Sequence, residues 1–290
     1  MKKTYQVAGH HFSVIMPDHH EAWQMMQNYD PFLTDEVDDC IFIAQWSDFI
    51  PEVSDSKLVI ESCAGEGFPR AALYDLNDRW EITLGIGPKG PVSLYLLTDK
   101  QFTNASFHIA FNTKFSLNNT LMMMFAHSTA RKYTMLMHAS VTMHEGKGYL
   151  FLGKSGTGKS THSQLWIDNI EHCELLNDDN PVIKVEKDGT VRVYGTPWSG
   201  KTPCYRNLNV PVGAIVDLHQ AKVNAIRRQT LPEAYGSILK SMSGARFIKE
   251  HADGYHATQQ KLLAVVPCYS LDCLPDADAA WLCHNTVTQS

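Results

Sequence analysis

The chain has 290 residues, 25 Lys plus Arg against 31 Asp plus Glu, a formal net charge of −6 and 44% hydrophobic residues. At ~100 to 200 residues per domain, this length gives one large domain or two modest ones, with enough apolar material to exclude disorder as the main state. The acidic balance provides no general attraction to phosphate backbones or anionic lipid, so we expect no nucleic-acid partner and no membrane association.

No apolar run approaches the ~18 residues that a membrane span requires. Lys2 and Lys3 are not followed by the apolar block of a signal peptide, so we expect a cytoplasmic protein. The cysteines are odd in number, scattered along the chain and without a Cys-x-x-Cys pair, which argues against a disulfide framework and a structural zinc site. We therefore predict free thiols at Cys40, Cys63, Cys173, Cys204, Cys268, Cys273 and Cys283.

The first part of the chain, residues 1–117, is predicted to be a β-rich N-terminal module. Short alternating segments are bounded there by Gly, Pro, Asn and Asp, as is typical of strands and turns. The predicted strands are YQVAGHHFSVI, CIFIAQW, KLVIES, AALYDL, WEITLGI and VSLYLLT. The module contains no recognisable catalytic cluster, and its role stays open.

The pattern changes at about Asn118, where NNTLMMMFAHSTARKY has apolar residues at helical spacing and no Gly or Pro. We predict that this helix opens a second domain, residues 118–290. Strands are predicted at TMLMHASVTM, GYLFLG, CELLNDDNP, VPVGAIVDL and CYSLDC. Helices are predicted at STHSQLWIDNI, LPEAYGSILKSM, ADGYHATQQKLLAVV and PDADAAWLCHNTV, the last with its Pro in the first turn.

The segment GKSGTGKS matches the phosphate-loop pattern G-x-x-x-x-G-K-S/T and lies between a predicted strand and a predicted helix. Glycines in such a loop let backbone N–H groups face phosphate, Lys159 adds a positive charge, and the Ser160 hydroxyl suits Mg²⁺. The alternative is a structural Gly-rich turn. The predicted nucleotide-binding residues are Gly153, Lys154, Ser155, Gly156, Thr157, Gly158, Lys159, Ser160 and Thr161.

Two further features lie where a nucleotide site needs them. Asp178 and Asp179 end the strand that follows the loop helix, where carboxylates can hold a divalent ion and act as a base; the alternative is a polar turn before Pro181. His138 lies on the strand before the loop strand, where imidazole can bind metal or relay a proton. The alternative for His138 is a hydrogen-bonded core histidine.

The stretch MHASVTMHEGKGYLFLGKSGTGKST, with the later NDD, resembles the nucleotide-binding core of the ATP-dependent phosphoenolpyruvate carboxykinases and of the HPr kinase/phosphorylases. The longer pattern, with VYGTPWSGK and NVPVGAIVDL, most closely resembles uncharacterised bacterial HPr-kinase-like proteins. The resemblance implies an α/β fold, namely a P-loop, mixed-sheet kinase core of the phosphoenolpyruvate carboxykinase/HPr kinase type.

The resemblance also implies roles for individual residues. Lys159 would contact the β- and γ-phosphates, and Asp179 would be the base that accepts a hydroxyl proton. A metal, Mg²⁺ or Mn²⁺, would be held by residues among Ser160, Asp178, Asp179 and His138. His138 would belong to the catalytic set, and Arg206 would reach the transferred phosphoryl group, with Lys201 as another candidate cation.

The function so predicted is an ATP-dependent phosphotransferase that moves the γ-phosphoryl group to a serine of a protein or peptide, or to a small hydroxylated metabolite. A carboxykinase-like lyase is one alternative, but the region before the His138 strand lacks the paired lysines of the carboxykinases, and Thr161 stands where HPr kinases have Glu. A non-catalytic nucleotide-binding regulator or peptide-maturation partner is the other. The acceptor and the oligomeric state, including a homo-oligomer, stay open.

Overall fold

The chain folds into two units, each built around its own β-sheet. The computed structural model describes residues 1–50, 56–63, 65, 69–200, 202–244 and 246–289. The units are Met1–Ser128 and Thr129–Ser290. The division therefore falls after Ser128, not after residue 117 as the sequence predicted.

The first unit is a mixed sheet with one long helix. Its elements are β1 (Lys2–Val7), β2 (His10–Ile15), a 3₁₀ helix (Glu21–Phe32), β3 (Leu33–Thr34), β4 (Phe42–Trp46), β5 (Lys57–Cys63), β6 (Pro69–Asp75), β7 (Arg79–Ile86), β8 (Val92–Asp99), β9 (Asn104–Ile109) and α1 (Thr113–Thr129). The strand order is β3-β1-β2-β4-β9-β8-β7-β6-β5. β4 pairs in parallel with β2 and β9, and the other pairs are antiparallel.

Helix α1 packs on the first unit, which explains where the division falls. The Phe125 ring lies 6.2 Å from the ring of Phe12 on β2. The Ser128 hydroxyl donates to the Phe102 carbonyl at 2.6 Å. The apolar spacing in this helix identified its buried face but not the sheet that covers it.

The predicted strand YQVAGHHFSVI is a hairpin. Ala8 and Gly9 form its two-residue turn with φ of 51° and 74°, and Val7 pairs with His10. Positive φ at both central residues is the geometry that suits the twist of a tight hairpin. The other predicted strands of this unit coincide with β4 to β8, and the sequence missed β9 and the 3₁₀ helix.

The second unit has ten strands in one mixed sheet. Its elements are β10 (Thr134–Met137), β11 (Ala139–His144), β12 (Lys147–Leu152), α2 (Lys159–Asn169), β13 (Glu174–Asp179), β14 (Val182–Val185), β15 (Val191–Tyr194), β16 (Asn209–Gln220), β17 (Ala225–Arg228), α3 (Leu231–Ser241), β18 (Met242–Ser243), α4 (Lys249–Val265), β19 (Cys268–Cys273) and α5 (Ala277–Val287). The main path is β13-β11-β12-β16-β15-β14-β10-β18, and β19 pairs with β16 and β17.

Three features of this sheet position the site. β12 and β16 are parallel neighbours, whereas β11 is antiparallel to both β12 and β13. The carboxyl ends of β12, β13 and β16 and the amino end of β11 therefore meet at one edge. Alternating side chains of β12 face two helical layers: Tyr149 and Phe151 pack with α2 and α5, while Leu150 and Leu152 pack with α3 and α4.

The last helix begins two residues later than predicted. It begins at Ala277, and the Asp276 side chain caps it by accepting from the Ala279 N–H at 2.9 Å. Pro275 thus precedes the cap instead of lying in the first turn. Aspartate is a strong N-cap because its carboxylate satisfies an N–H that the helix leaves open.

Two further predictions can be compared with the described residues. The seven cysteines are free, with Cys173, Cys268 and Cys283 buried, as expected for unpaired thiols. Within the described part of the chain, no helix combines the length and the apolar character needed to span a membrane.

His162 on α2 is buried beside aromatic rings and carries a titration signature. Its Nε2 accepts a hydrogen bond from Trp166 Nε1 at 3.1 Å, and its ring lies 4.7 Å from that of Phe151. Burial lowers the pKa of His162 to about 4. The ring is therefore neutral at pH 7, as an acceptor nitrogen requires.

The free energy of unfolding is expected to fall as the pH is lowered from ~6.5 towards ~4. In this range His162 is protonated in the unfolded chain but stays neutral in the folded chain, because burial lowers its pKa. In total, the lowered pKa of His162 accounts for a loss of about 3 kcal/mol in the free energy of unfolding over this pH range. Urea unfolding of wild type and His162→Gln at pH 7, 6 and 5 measures it, and the variant should show the shallower pH dependence. Since burial also lowers the pKa of His144 and His251, the difference between the two proteins is the relevant quantity; parallel curves would contradict the prediction.

Candidate functional site

The phosphate loop connects β12 to α2 through three glycines with left-handed φ. These angles are 145° at Gly153, 82° at Gly156 and 107° at Gly158, where other residues would be strained. Gly158 is the N-cap of α2 and has no side chain to cap it. The first-turn N–H groups of α2 are thus left for a ligand or water, and the helix dipole favours an anion there.

Gln220, at the end of β16, fixes the loop from one side. Its Nε2 donates to the carbonyl of Gly156 at 3.2 Å and lies 3.4 Å from that of Thr157. Within the loop, the Thr157 N–H donates to the Lys154 carbonyl at 3.1 Å. Sequence reasoning missed Gln220, because its contact with the loop depends on the pairing of β16 with β12.

Lys159 opens α2 and folds back over the loop. Its Nζ donates to the Gly153 carbonyl at 3.0 Å and lies 3.4 Å from the Lys154 carbonyl. Burial lowers the pKa of Lys159, and the carboxylates of Asp179 and Asp178 oppose that shift. The ammonium group therefore lies at the loop, close enough to both acids to interact with them electrostatically.

Asp178 and Asp179 end β13 opposite the start of β11, where they pair with Ser140 and Ala139. Asp178 is 5% exposed, and among the described residues neither of its carboxylate oxygens has a hydrogen-bond partner. Asp179 is half-buried and accepts from Asn180 Nδ2 at 2.8 Å. The two adjacent acids therefore differ, one without partners and one held in place.

His138 lies between two strands, not within one. The predicted strand TMLMHASVTM is divided at this residue into β10, which pairs with β14 and β18, and β11, which pairs with β12 and β13. The His138 N–H donates to the Ser241 carbonyl at 2.6 Å. Its Nδ1 lies 3.1 Å from Asp179 Oδ1, and both side chains are partly exposed. A hydrogen-bonded histidine in the core, the alternative interpretation of the sequence, would be buried.

A cavity of about 400 Å³ brings the predicted residues together. The phosphate loop and the start of α2 form one side, and the acids and His138 form the other. The lining residues are His138, Ala139, Ser140, Ser155, Gly156, Gly158, Lys159, Ser160, Thr161, Asp178, Asp179 and Gly200. A phosphate chain seated on the loop would therefore face both acids.

Arg206 is not brought to this cavity. Its Nη2 pairs with Glu174 Oε2 at 2.7 Å, and its Nη1 donates to the Leu175 carbonyl at 2.8 Å. These residues begin β13, whereas the acids end it, so the two ends are ~13 Å apart at ~3.3 Å per residue. Arg206 therefore does not line the cavity, and its contact with a transferred phosphoryl group stays a prediction. Lys201, the other predicted cation, lies outside the described residues.

The acids fit a divalent cation that also binds phosphate. Among the described residues, no group of three or more His, Cys, Asp and Glu side chains is arranged to hold a metal by itself. Mg²⁺ usually takes only one or two carboxylates together with substrate phosphates and water. Asp178 and Ser160 line the same cavity, and a carboxylate without a partner among the described residues together with a hydroxyl suits that role; Mn²⁺ accepts similar ligands.

Asp178→Asn is expected to raise the free energy of unfolding of the ligand-free protein by about 1–3 kcal/mol, because it removes a buried charge without a partner. Addition of Mg²⁺ and ADP should stabilise wild type more than the variant and shrink the difference. Urea unfolding with and without MgADP measures both effects. Asp188→Asn, at an exposed turn between β14 and β15, should change stability by less than about 0.5 kcal/mol. A less stable ligand-free Asp178→Asn would contradict the prediction.

A second, adjoining cavity of about 780 Å³ contains residues that sequence reasoning missed. Its lining includes Asp217, Ser237 and Lys240 as well as Gly153–Thr157 of the loop. The sequence offered one signal for Asp217, since it closes the predicted strand VPVGAIVDL. Carboxyl ends of parallel strands share an edge of the sheet, so that acid could have been placed beside the loop.

No protein-family model matches this chain, and no curated protein matches it. Among solved structures, the chain is similar to the Hpr(Ser) kinase/phosphatase from Coxiella burnetii, with 14% sequence identity and a TM-score of 0.34. The match covers 53% of this chain and 88% of that one.

Proposed function

We propose that the second unit is an ATP-dependent phosphotransferase that moves the γ-phosphoryl group of ATP to a hydroxyl. The observation that carries the proposal is the shared 400 Å³ cavity, in which the phosphate loop faces Asp178, Asp179 and His138. A loop alone would support nucleotide binding. The acids and histidine opposite it supply the groups that phosphoryl transfer needs.

The phosphates would bind the loop N–H groups and Lys159. A divalent cation held by Asp178 and Ser160 would neutralise charge on the β- and γ-phosphates. Asp179 is the base in this scheme: it takes the acceptor's O–H proton as the acceptor oxygen bonds to the γ-phosphorus. The bond from that phosphorus to the β–γ bridging oxygen breaks, and ADP leaves with the electron pair. His138 Nδ1–H, by donating to Asp179, would hold the carboxylate in position.

The alternative of a pure nucleotide-binding regulator is less well supported by these residues. A binder has no need of a positioned carboxylate with a histidine partner. A buried carboxylate without partners is also costly to keep unless something binds it. Both features have a use in a phosphotransferase that binds a metal ion with its nucleotide.

The test is transfer of label from γ-labelled ATP, with Mg²⁺, to components of a host lysate, using wild type and Lys159→Ala. Label that depends on wild-type protein and is absent with the variant supports the proposal. Normal ATP binding without label in any lysate component, large or small, would overturn it. Release of labelled inorganic phosphate alone would favour a nucleotide-hydrolysing regulator.

A further inference from the structure

The 780 Å³ cavity adjoins the phosphate cavity and opens on the other side of the loop. His138, Ser155 and Gly156 line both cavities, so the two adjoin at these residues. Ser160 and Thr161 of α2 line only the first, whereas Lys154 and Thr157 line only the second. If the phosphates and metal occupy the first cavity, the second is room for another molecule, and its size lies within the ~300–1,000 Å³ typical of small-molecule sites.

Asp217 provides this second cavity with a fixed negative group. It pairs with Leu152, the last residue of the loop strand, and so lies beside the loop. Its Oδ2 accepts from the Ser237 hydroxyl at 2.8 Å and lies 3.4 Å from His219 Nε2. The Gln229 amide in turn donates to the Ser237 hydroxyl at 2.9 Å. Both contacts that described residues make with this carboxylate use Oδ2, which leaves Oδ1 for a ligand.

Lys240 provides a positive group one helical turn away. Ser237 and Lys240 are three residues apart on α3, which puts them on one helix face with Cβ atoms ~5–6 Å apart. Lys240 is exposed and, within the described residues, makes no salt bridge with Asp or Glu. The cavity therefore has both a carboxylate, that of Asp217, and an ammonium group, that of Lys240, among its lining side chains.

This pair matches a small zwitterion. In a free amino acid the ammonium and carboxylate groups are attached to the same carbon, so one can face Asp217 while the other faces Lys240. A serine inside a protein has neither charge, so it would leave Asp217 and Lys240 without ionic partners. A site built to pair charges discriminates strongly against a molecule that lacks them.

Resting on the proposed function, we infer that the acceptor is a free amino acid with a hydroxylated side chain. Its carboxylate binds Lys240 and its ammonium group binds Asp217. Its hydroxyl points past His138 towards the γ-phosphate and loses its proton to Asp179. The products are ADP and the O-phosphoamino acid, with one proton released.

The experiment supplies γ-labelled ATP and Mg²⁺ with L-serine, L-threonine or L-homoserine, and separates labelled phosphoamino acid from ATP and phosphate. At least one of the three should be labelled. Lys240→Met should raise the KM for that amino acid at least ~10-fold while changing the KM for ATP less than ~3-fold, because it removes binding of the acceptor alone. Asp217→Asn should raise the KM for the amino acid in the same way. The asparagine side chain has nearly the shape of the aspartate and keeps an oxygen that accepts from the Ser237 hydroxyl.

Lys187→Met is the matched control, since Lys187 is exposed on the turn between β14 and β15. It should leave both KM values unchanged. Equal KM values for the amino acid in Lys240→Met and Lys187→Met would overturn the inference. So would label that enters only lysate macromolecules, or only a small molecule that is not an amino acid, although the proposed function would then stand. Absence of label in every fraction, with ATP bound, would overturn the proposed function itself.

Discussion

Replacing Lys159 with alanine is expected to weaken nucleotide binding at least ~10-fold and to reduce phosphoryl transfer by a further factor on the order of 10²–10³. The Nζ atom lies 3.0 Å from the Gly153 carbonyl, so it is at the loop before any nucleotide arrives. Phosphate oxygens would replace that neutral carbonyl with charged partners, and charge-assisted hydrogen bonds are about twice as strong. Calorimetric titration with ADP measures the binding, and labelled ATP measures the transfer.

The control for this substitution is Lys187→Ala, which removes the same charge from an exposed turn. It should alter neither quantity, because surface charges beyond a Debye length of ~8 Å are largely screened. Thermal unfolding of both variants should match wild type in the absence of nucleotide. Unchanged ADP affinity in Lys159→Ala would mean that the phosphates do not lie on this loop.

The strand, loop and helix around Gly153–Thr161, and the place of the two acids, could be predicted from the sequence because their signals are local. Glycine spacing specifies the loop, an apolar run specifies β12, and helical spacing specifies α2. Asp178 and Asp179 are the last residues of a short strand, so the sequence also indicated that they lie at its carboxyl end. Each of these signals lies within a few residues of the structure that it predicts.

The rest depends on pairing between distant segments. Nothing inside TMLMHASVTM shows that the hydrogen-bond partners change at His138, because β14 and β18 come later in the chain. Arg206 resembled a catalytic arginine by its place in the chain, but its side chain pairs with Glu174 at the start of β13 and does not line the cavity at the end of that strand. Asp217 and Lys240 reach one cavity only because β16 pairs with β12 and α3 packs over the same face.

The first unit illustrates the same limit. The helical pattern near Asn118 predicted a helix correctly but assigned it to the second domain. The Asn118 side chain hydrogen-bonds that of Asn28 at 2.9 Å, across a long stretch of sequence. A periodic pattern identifies the buried face of a helix, whereas the partner of that face is a tertiary property.

Asp179→Asn is expected to keep nucleotide affinity within ~3-fold of wild type and to lower turnover ~10²–10⁴-fold. The amide has nearly the shape of the carboxylate and keeps one acceptor oxygen, which can face either His138 Nδ1 or Asn180 Nδ2, since these two atoms contact different oxygens of Asp179. It cannot take up the acceptor's proton. Turnover at saturating ATP and acceptor, together with ADP affinity in the presence of Mg²⁺, separates the two effects.

Substitutions of Asp178 and Asp217 distinguish proton removal by Asp179 from cation binding and from acceptor binding. Asp178→Asn should weaken Mg²⁺-dependent nucleotide binding, so loss of binding in Asp179→Asn as well would indicate that both carboxylates hold the cation. If Asp179→Asn retained full turnover, the base would have to lie elsewhere, and Asp217, at the carboxyl end of β16 beside the loop, is the remaining carboxylate that lines either cavity within the described residues. Asp217→Asn would then lower kcat instead of raising the KM for the acceptor. A loss of kcat in Asp179→Asn and a rise of KM in Asp217→Asn therefore assign the two acids to different steps, one to proton removal and the other to acceptor binding.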